Sequence, residues 1–475
     1  MERFEQIFSR RLRALRAVPP VLEPGECRSS ASRTCTLCHA SALEYSAEAA
    51  ARDDALQEFW RTLRIRTPLR PLVRSPLGRQ YRTTTKRKAF HGGRGVRLAL
   101  IDPAGNAGSR SMDVGRCAIE PSGHAAIYAK VQASLEKPSG RPLADALRYV
   151  VVRGNYEEFT VLFTVDRIDG PLLKTANSVS KGLTHALPAV TGVLLFEDRS
   201  DGRYYLGTRN PSGRGGVRKI FGKGEVYARY GGKGFLYPGT AFSQVNASLV
   251  DQVVATASRL LQPGAGSTLY DLYCGYGLFS LTVGSAAAHC VGIERSPESL
   301  DAAIANGRRQ HAGNVRFIRS EITPESIGPL VAAAQPGDAV LLDPPRGGAA
   351  AGVLECIAAR RPGRVLHLLC NIDLVGAEIQ RWSKSGYALA DAVPFDMFPG
   401  TDDVEIMAFL TPAARPHHAP AKRSASGAPR SSADPAIPPA VPHQSPRNIR
   451  TAPRPARRAG TQSTRQIPPR EPGRT

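Results

Sequence analysis

The residues of this chain best placed to do chemistry are a cysteine and several carboxylates that close apolar runs. In LHLLCNID, residues 366–373, Cys370 ends such a run and is followed at once by Asn371. A thiol there is either a packed core residue, as free cysteines commonly are, or a nucleophile. In LLDPPRGG, Asp343 closes a second run. Pro345 lacks an N–H and restricts Pro344, so neither a ladder nor an ordinary helix continues, and a stiff loop holds Asp343 and Arg346 at the strand end. In DLYCGYGLF, Gly275 and Gly277 let a turn pass close to a ligand. Glu294 closes GIE about 20 residues later, where a carboxylate accepts from both hydroxyls of a ribose. Ser280 stands where a pyrophosphate-cradling GxGxxG has its third glycine, so a nucleoside cofactor without pyrophosphate fits better, S-adenosylmethionine foremost.

A second group of residues suits a metal. Cys27, Cys35 and Cys38 lie in CRSSASRTCTLC, and Cys117 follows in GRCAIEP. Four thiolates of one cytoplasmic chain suit zinc or an iron–sulfur cluster better than disulfides, and spacing does not choose between the two. Cys274, Cys290 and Cys356 fall within turn, strand and helix patterns and are expected to pack.

The elements that position these residues follow from hydrophobic pattern. From Ser243 to Leu410 apolar strands (TLYDLYC, HCVGIE, NVRFIRS, AVLLDPP, RVLHLLC) alternate with helices, which predicts a doubly wound, mainly parallel sheet whose ligands sit at the carboxyl ends of the strands. Residues 241–411 are therefore expected to be the catalytic domain. Before it, 126–240 holds short β-branched and aromatic runs (RYVVVRG, FTVLFTVD, GVLLFED, RYYLG, GEVYARY), read as a smaller antiparallel β domain. Residues 1–125 hold the cysteines and one helical segment, LEYSAEAARDDALQEFWRTLRI. RNPSGRGGVRKIFGKG reads as an exposed basic loop. The segment 412–475 is Pro, Ala, Arg and Ser without an aromatic residue, and is expected to be disordered and basic. The formal charge of +22 favours a polyanionic partner, nucleic acid before anionic membrane. The N-terminus carries charges throughout and no run of about 18 apolar residues occurs, so a cytoplasmic chain is expected.

The series FSQVN, DLYCGYGLFSL, GIE, LLDPPRGG, LCN and FDMFPGTDDVE, in that order and spacing, resembles the RNA 5-methyluridine methyltransferase family, which modifies uracil C5 in bacterial rRNA and tRNA. The resemblance covers most of residues 27 to 410. It implies a class I, Rossmann-like fold and methyl transfer from S-adenosylmethionine to a uridine through a covalent cysteine–C6 adduct. By resemblance Cys370 is the nucleophile and Glu405 the base that removes the C5 proton, while Gln244, Tyr273, Gly275, Gly277, Glu294 and Asp343 line the cofactor site. It also implies a [4Fe-4S] cluster on Cys27, Cys35, Cys38 and Cys117 rather than zinc. It implies 23S rRNA as the substrate of a monomeric enzyme. A tRNA uridine-C5 methyltransferase and a catalytically inactive RNA-binding relative are the alternatives. The chain departs from the family pattern at Asp403, where histidine is usual, at Ile372, where proline is usual, and at Leu278, where many members place an asparagine on the cofactor. An acid beside the proposed base would raise its pKa or reorient it.

Overall fold

The structure, a computed structural model, describes residues 2–16, 27, 35–39, 43–93, 95–102, 110–198 and 216–413. The expected disordered tail, apart from Pro412 and Ala413, and the RYYLG run lie outside the described residues. Strands β1 (Thr84–Gly92), β2 (Gly95–Ile101), β3 (Ser111–Met112), β4 (Leu147–Gly154), β5 (Phe159–Val165), β6 (Val190–Glu197) and β7 (Gly216–Gly222) form one sheet in the order β3-β2-β1-β4-β5-β6-β7. Strands β8 (Glu225–Tyr230) and β9 (Lys233–Pro238) pair as a separate hairpin. Strands β10 (Thr268–Leu272), β11 (His289–Glu294), β12 (Val315–Arg319), β13 (Ala339–Leu342), β14 (Arg364–Leu369), β15 (Tyr387–Phe395) and β16 (Glu405–Pro412) form the second sheet, in the order β12-β11-β10-β13-β14-β16-β15.

The second sheet is the expected doubly wound one. Strands β10 to β14 pair in parallel, and β16 enters antiparallel between β14 and β15. Every residue of β13 is buried, because each face of the sheet carries its own apolar core. Val340 and Leu342 point into one core and Ala339 and Leu341 into the other, as the two-residue period of a strand requires. Strand order reverses about β10, so a crevice opens beyond the carboxyl ends of β10 and β13.

The expected division near residue 125 falls inside the first sheet, where β1 pairs with β4. The N-terminal region is shared between layers. Helices α1 (Phe4–Arg16) and α2 (Tyr45–Thr62) bury Phe4, Phe8, Leu56, Phe59 and Trp60 in the same core as Tyr270 and Leu342 of the second sheet. Each of these large side chains contributes about 1.5–3 kcal/mol of apolar transfer. The first sheet is antiparallel except at β5–β6, which pair in parallel across the helix Gly170–Ala186. That crossover helix and the helix Ser122–Leu135 were not legible among the strand-like runs, although Leu172, Ala176, Val179 and Leu183 keep a helical period. The expected basic loop is in part strand: residues 216–222 are β7, antiparallel to β6, and residues 209–215 lie outside the described ones. Among the described residues no helix is long and apolar enough to cross a membrane.

Candidate active site

Cys370 follows β14 directly and Glu405 opens β16. These strands are antiparallel with Leu369 opposite Ile406, so the next step of the register sets Cys370 beside Glu405. Asp343 follows β13, whose Leu342 pairs in parallel with His367 of β14. A thiol, a carboxylate and a second carboxylate thus meet at one sheet edge, brought there by three strands far apart in sequence. The Cys370 Sγ lies 3.7 Å from the carbonyl oxygen of Pro344 in the stiff Asp-Pro-Pro loop. Gln244 donates its side-chain amide to Asp343 Oδ2 at 3.4 Å.

The electrostatics of this edge share one cause, the removal of water. Burial, reinforced by the neighbouring Glu405 and Asp343 charges and opposed by Arg346, pushes the Cys370 thiol up to about 12. Burial first, then Asp343 and Asp403, raises Glu405 to about 8 against the opposing pull of Arg346. Burial raises Asp343 to about 7. Three groups that become anionic on losing a proton sit together with little to neutralise them. The site is electrostatically complementary to a cation, which would lower all three values at once.

Among the described residues the guanidinium acting on this group is Arg346, and it is already engaged. It bonds Asp403 Oδ2 at 2.8 Å and lies over the Phe398 ring, 5.6 Å from the centroid. Asp403 is therefore paired rather than an isolated charge beside Glu405, and its effect on Glu405 ranks below burial and Asp343. The other departures are accommodated by packing. Ile372 is buried at the start of a short 3-10 turn capped by Asn371, which accepts the Asp373 N–H at 3.1 Å. Leu278 is buried as the first residue of the helix after the glycine turn.

The glycine turn has the form expected of a cofactor edge. Tyr273, Gly275 and Gly277 all have positive φ, at 66°, 55° and 89°. A left-handed tyrosine is uncommon and marks a turn held by its surroundings; its ring packs partly buried against the core. A Cβ on Gly275 would meet nothing within 4 Å, so open space faces the backbone there. A Cβ on Gly277 would meet Leu281, Phe317 and Ala303 at 3.2 to 3.3 Å. Glu294 ties the turn to β11: Gly275 N–H donates to Oε2 at 3.1 Å and Ser296 N–H to Oε1 at 2.7 Å. Each oxygen keeps a second lone pair for a ligand hydroxyl. The serine at the third motif position has its own task, since Ser280 donates to Asp271 Oδ2 at 2.5 Å. Asp271 is fully buried, its other oxygen has no partner, and burial raises it to about 7. Sequence reasoning passed over it, although an aspartate inside the apolar run TLYDLYC was a visible anomaly.

The four N-terminal cysteines also come together. Cys27, Cys35, Cys38 and Cys117 line one cavity of about 380 Å³, with Lys86, Lys88 and Arg82 on its wall. Burial pushes the Cys35 and Cys117 thiols up. The same cavity is bounded by Val245, Thr401 and Asp403, which are near Gln244 and Glu405 in sequence. Among the described residues no three cysteine sulfurs lie within 4.8 Å of one another. His39, next to Cys38, is half-buried with its ring 3.7 Å from Asp402.

Residues 228–328 match the family described as tRNA (Uracil-5-)-methyltransferase. An uncharacterized RNA methyltransferase of Thermosynechococcus vestitus is 30% identical over 243 residues, 51% of this chain and 52% of that protein. A 23S rRNA (uracil(1939)-C(5))-methyltransferase of Vibrio campbellii is 34% identical over 169 residues, 36% of this chain and 38% of its own length. The chain thus spans about half or less of these two relatives. In three dimensions it resembles the Pyrococcus abyssi tRNA (uracil-54, C5)-methyltransferase, solved with S-adenosyl-L-homocysteine, with a TM-score of 0.60 and 18% identity over 79% of this chain and 85% of that one. That likeness shows the fold, a Rossmann-like methyltransferase sheet. In strand order, in the thiol-and-carboxylate edge and in its sequence relatives, the chain is similar to RNA uracil-C5 methyltransferases.

Proposed function

We propose that this chain transfers a methyl group from S-adenosylmethionine to C5 of a uridine in RNA, with 23S rRNA as the substrate. The observation that carries the reading is the meeting of Cys370, Glu405 and Asp343 at the carboxyl edge of the sheet, beside an open glycine turn. Uracil C5 is too weak a nucleophile to take a methyl group unaided. Addition of the Cys370 thiolate to C6 makes a sulfur–carbon bond and turns C5 into an enolate carbon. The bound cofactor supplies an electrophilic methyl on a sulfonium, whose positive charge also favours the thiolate. C5 would take the methyl as the sulfonium's bond to it breaks and its electron pair leaves with sulfur, giving neutral S-adenosylhomocysteine; Glu405 then accepts the C5 proton, and that C–H electron pair re-forms the C5–C6 double bond as the Cys370 thiolate leaves. Gln244 orients Asp343, and Glu294 and Gly275 hold the cofactor's nucleoside end. Attack from both faces of the pyrimidine requires an unstacked base, so the uridine is extruded into the pocket.

The four-cysteine cavity fits a [4Fe-4S] cluster held by Cys27, Cys35, Cys38 and Cys117. Lysines and an arginine on the wall suit the net negative charge of a thiolate-bound cluster. That site and the named Vibrio relative support rRNA; the family description and the Pyrococcus likeness support tRNA. Protein purified without oxygen, given labelled S-adenosylmethionine and unmodified 23S rRNA or tRNA in separate reactions, decides between them by nucleoside mass spectrometry. Labelled 5-methyluridine in the rRNA fraction, absent with Cys370→Ala, is the expected result. Label in tRNA alone would reassign the substrate, and label in neither would leave an RNA-binding relative without turnover.

A further inference from the structure

The proposed base stands at the end of a loop that is held from the opposite side of the sheet by helix α2. Three side chains on one face of that helix, Tyr45, Glu48 and Arg52, reach residues 396–403, the segment that joins β15 to Glu405. Arg52 is fully buried. Its guanidinium donates to the carbonyl of Asp403 at 3.3 Å, to the carbonyl of Thr401 and to Glu48 Oε1 at 2.8 Å. It lies 3.4 Å from Asp396 Oδ1 and over the Phe8 ring of α1. Glu48 in turn accepts the Gly400 N–H and pairs with Arg79 at 2.9 Å, and Tyr45 donates to Asp396 Oδ2 at 2.9 Å. The loop's backbone is thereby fixed at Gly400, Thr401 and Asp403, the last only two residues before Glu405. Arginine suits this place because its planar fork serves two carbonyls and a carboxylate at fixed angles, which a lysine ammonium on a flexible stem does not.

We propose that Arg52 is the positioning residue of the base: by clamping the Thr401 and Asp403 carbonyls it sets Glu405 in register with the C5 proton, and so controls the release step rather than the addition step. This rests on Glu405 being the base. Loss of the clamp should leave cofactor and RNA binding, thiolate addition and methyl transfer intact while slowing proton removal and elimination. A covalent protein–RNA adduct would then build up, which a general loosening of the fold would not produce.

The test compares wild type, Arg52→Lys and Glu405→Gln, incubated with S-adenosylmethionine and unmodified rRNA. Turnover, KM for RNA, cofactor affinity and the fraction of protein in a denaturant-stable RNA adduct are followed. Arg52→Lys is expected to keep KM and cofactor affinity within about twofold, lower kcat about tenfold or more, and accumulate methylated adduct. Arg52→Lys turning over within twofold of wild type, or losing adduct, cofactor affinity and kcat together, would overturn the proposal. Glu405→Gln is the control for the underlying reading, because an active wild type whose Glu405→Gln variant builds no adduct would show that Glu405 is not the base. If Arg52→Lys does not fold, Tyr45→Phe, which removes the hydroxyl's bond to Asp396 and its acceptance of the Ser75 N–H, is expected to give the same adduct build-up with a smaller fall in kcat, and unchanged adduct and kcat there would equally overturn the proposal.

Discussion

Glu405→Gln should make the folded protein more stable while abolishing turnover, and the gain should depend on pH in a defined way. Burial holds the Glu405 carboxyl protonated up to about 8, against 4.5 for the ordinary glutamate. The folded state therefore binds this proton more tightly than the unfolded state does. The wild-type carboxyl costs nothing below pH 4.5, costs progressively more as pH rises through the window, and levels off above about pH 8. At about 1.4 kcal/mol for each pH step, the penalty is about 3 kcal/mol at pH 7 and about 5 kcal/mol at pH 9. Glutamine escapes it but brings an amide N–H to satisfy, at about 1 kcal/mol. The expected net gain is thus about 2 kcal/mol at pH 7, about 4 kcal/mol at pH 9, and close to nothing at pH 5. Urea midpoints of both proteins at these three pH values, without cofactor and with matching slopes, measure it. A gain that is the same at all three pH values would refute the reasoning, as would a loss at pH 9, because either would mean that Glu405 is solvated. S-adenosylmethionine at saturation should narrow the gap, since a sulfonium beside the carboxylate stabilises its charged form.

Alkylation of Cys370 by iodoacetamide should be slow at neutral pH and still rising at pH 10, because a thiol held up to about 12 has little thiolate there; a cationic cofactor analogue should accelerate it, as peptide mass spectrometry would reveal. Asp403→Asn removes an acid that raises Glu405 and frees Arg346, so the rising limb of the kcat–pH profile should move down by about one pH step. Because that pair is largely exposed, stability should change by less than about 1 kcal/mol. Gly277→Ala places a Cβ against Leu281, Phe317 and Ala303 at a positive φ, and should cost about 1–2 kcal/mol in denaturation and weaken cofactor binding by calorimetry. Gly275→Ala meets no neighbour and should cost less stability, yet still weaken the cofactor.

Much of the catalytic half was legible because parallel sheets write themselves plainly: fully buried strands read as apolar runs, and ligand residues follow them. Asp343, Glu294, Gly275 and Cys370 were each found as the residue at a strand end. The four cysteines were visible by type alone. What failed in the reading failed for physical reasons. The strands at 84–112 were not assigned to the sheet of 147–222, because antiparallel partners distant in sequence leave no local trace of their pairing. The β7 segment looked like a loop because an edge strand with exposed basic residues lacks the apolar alternation of a covered one. Arg52 and Glu48 were overlooked on a face that also holds Leu56 and Phe59, where buried charge was the available signal.

The sequence by itself determined which groups exist and which end of which strand each occupies, since local pattern sets strands, turns and the stiffness of an Asp-Pro-Pro loop. Only the tertiary structure decided that Glu405 is Cys370's neighbour, because that depends on β16 entering antiparallel between β14 and β15. It alone also decided the chemistry of the site. A thiol at about 12 and carboxyls at about 7 and about 8 are properties of shared burial and mutual repulsion, which no residue carries in its own type.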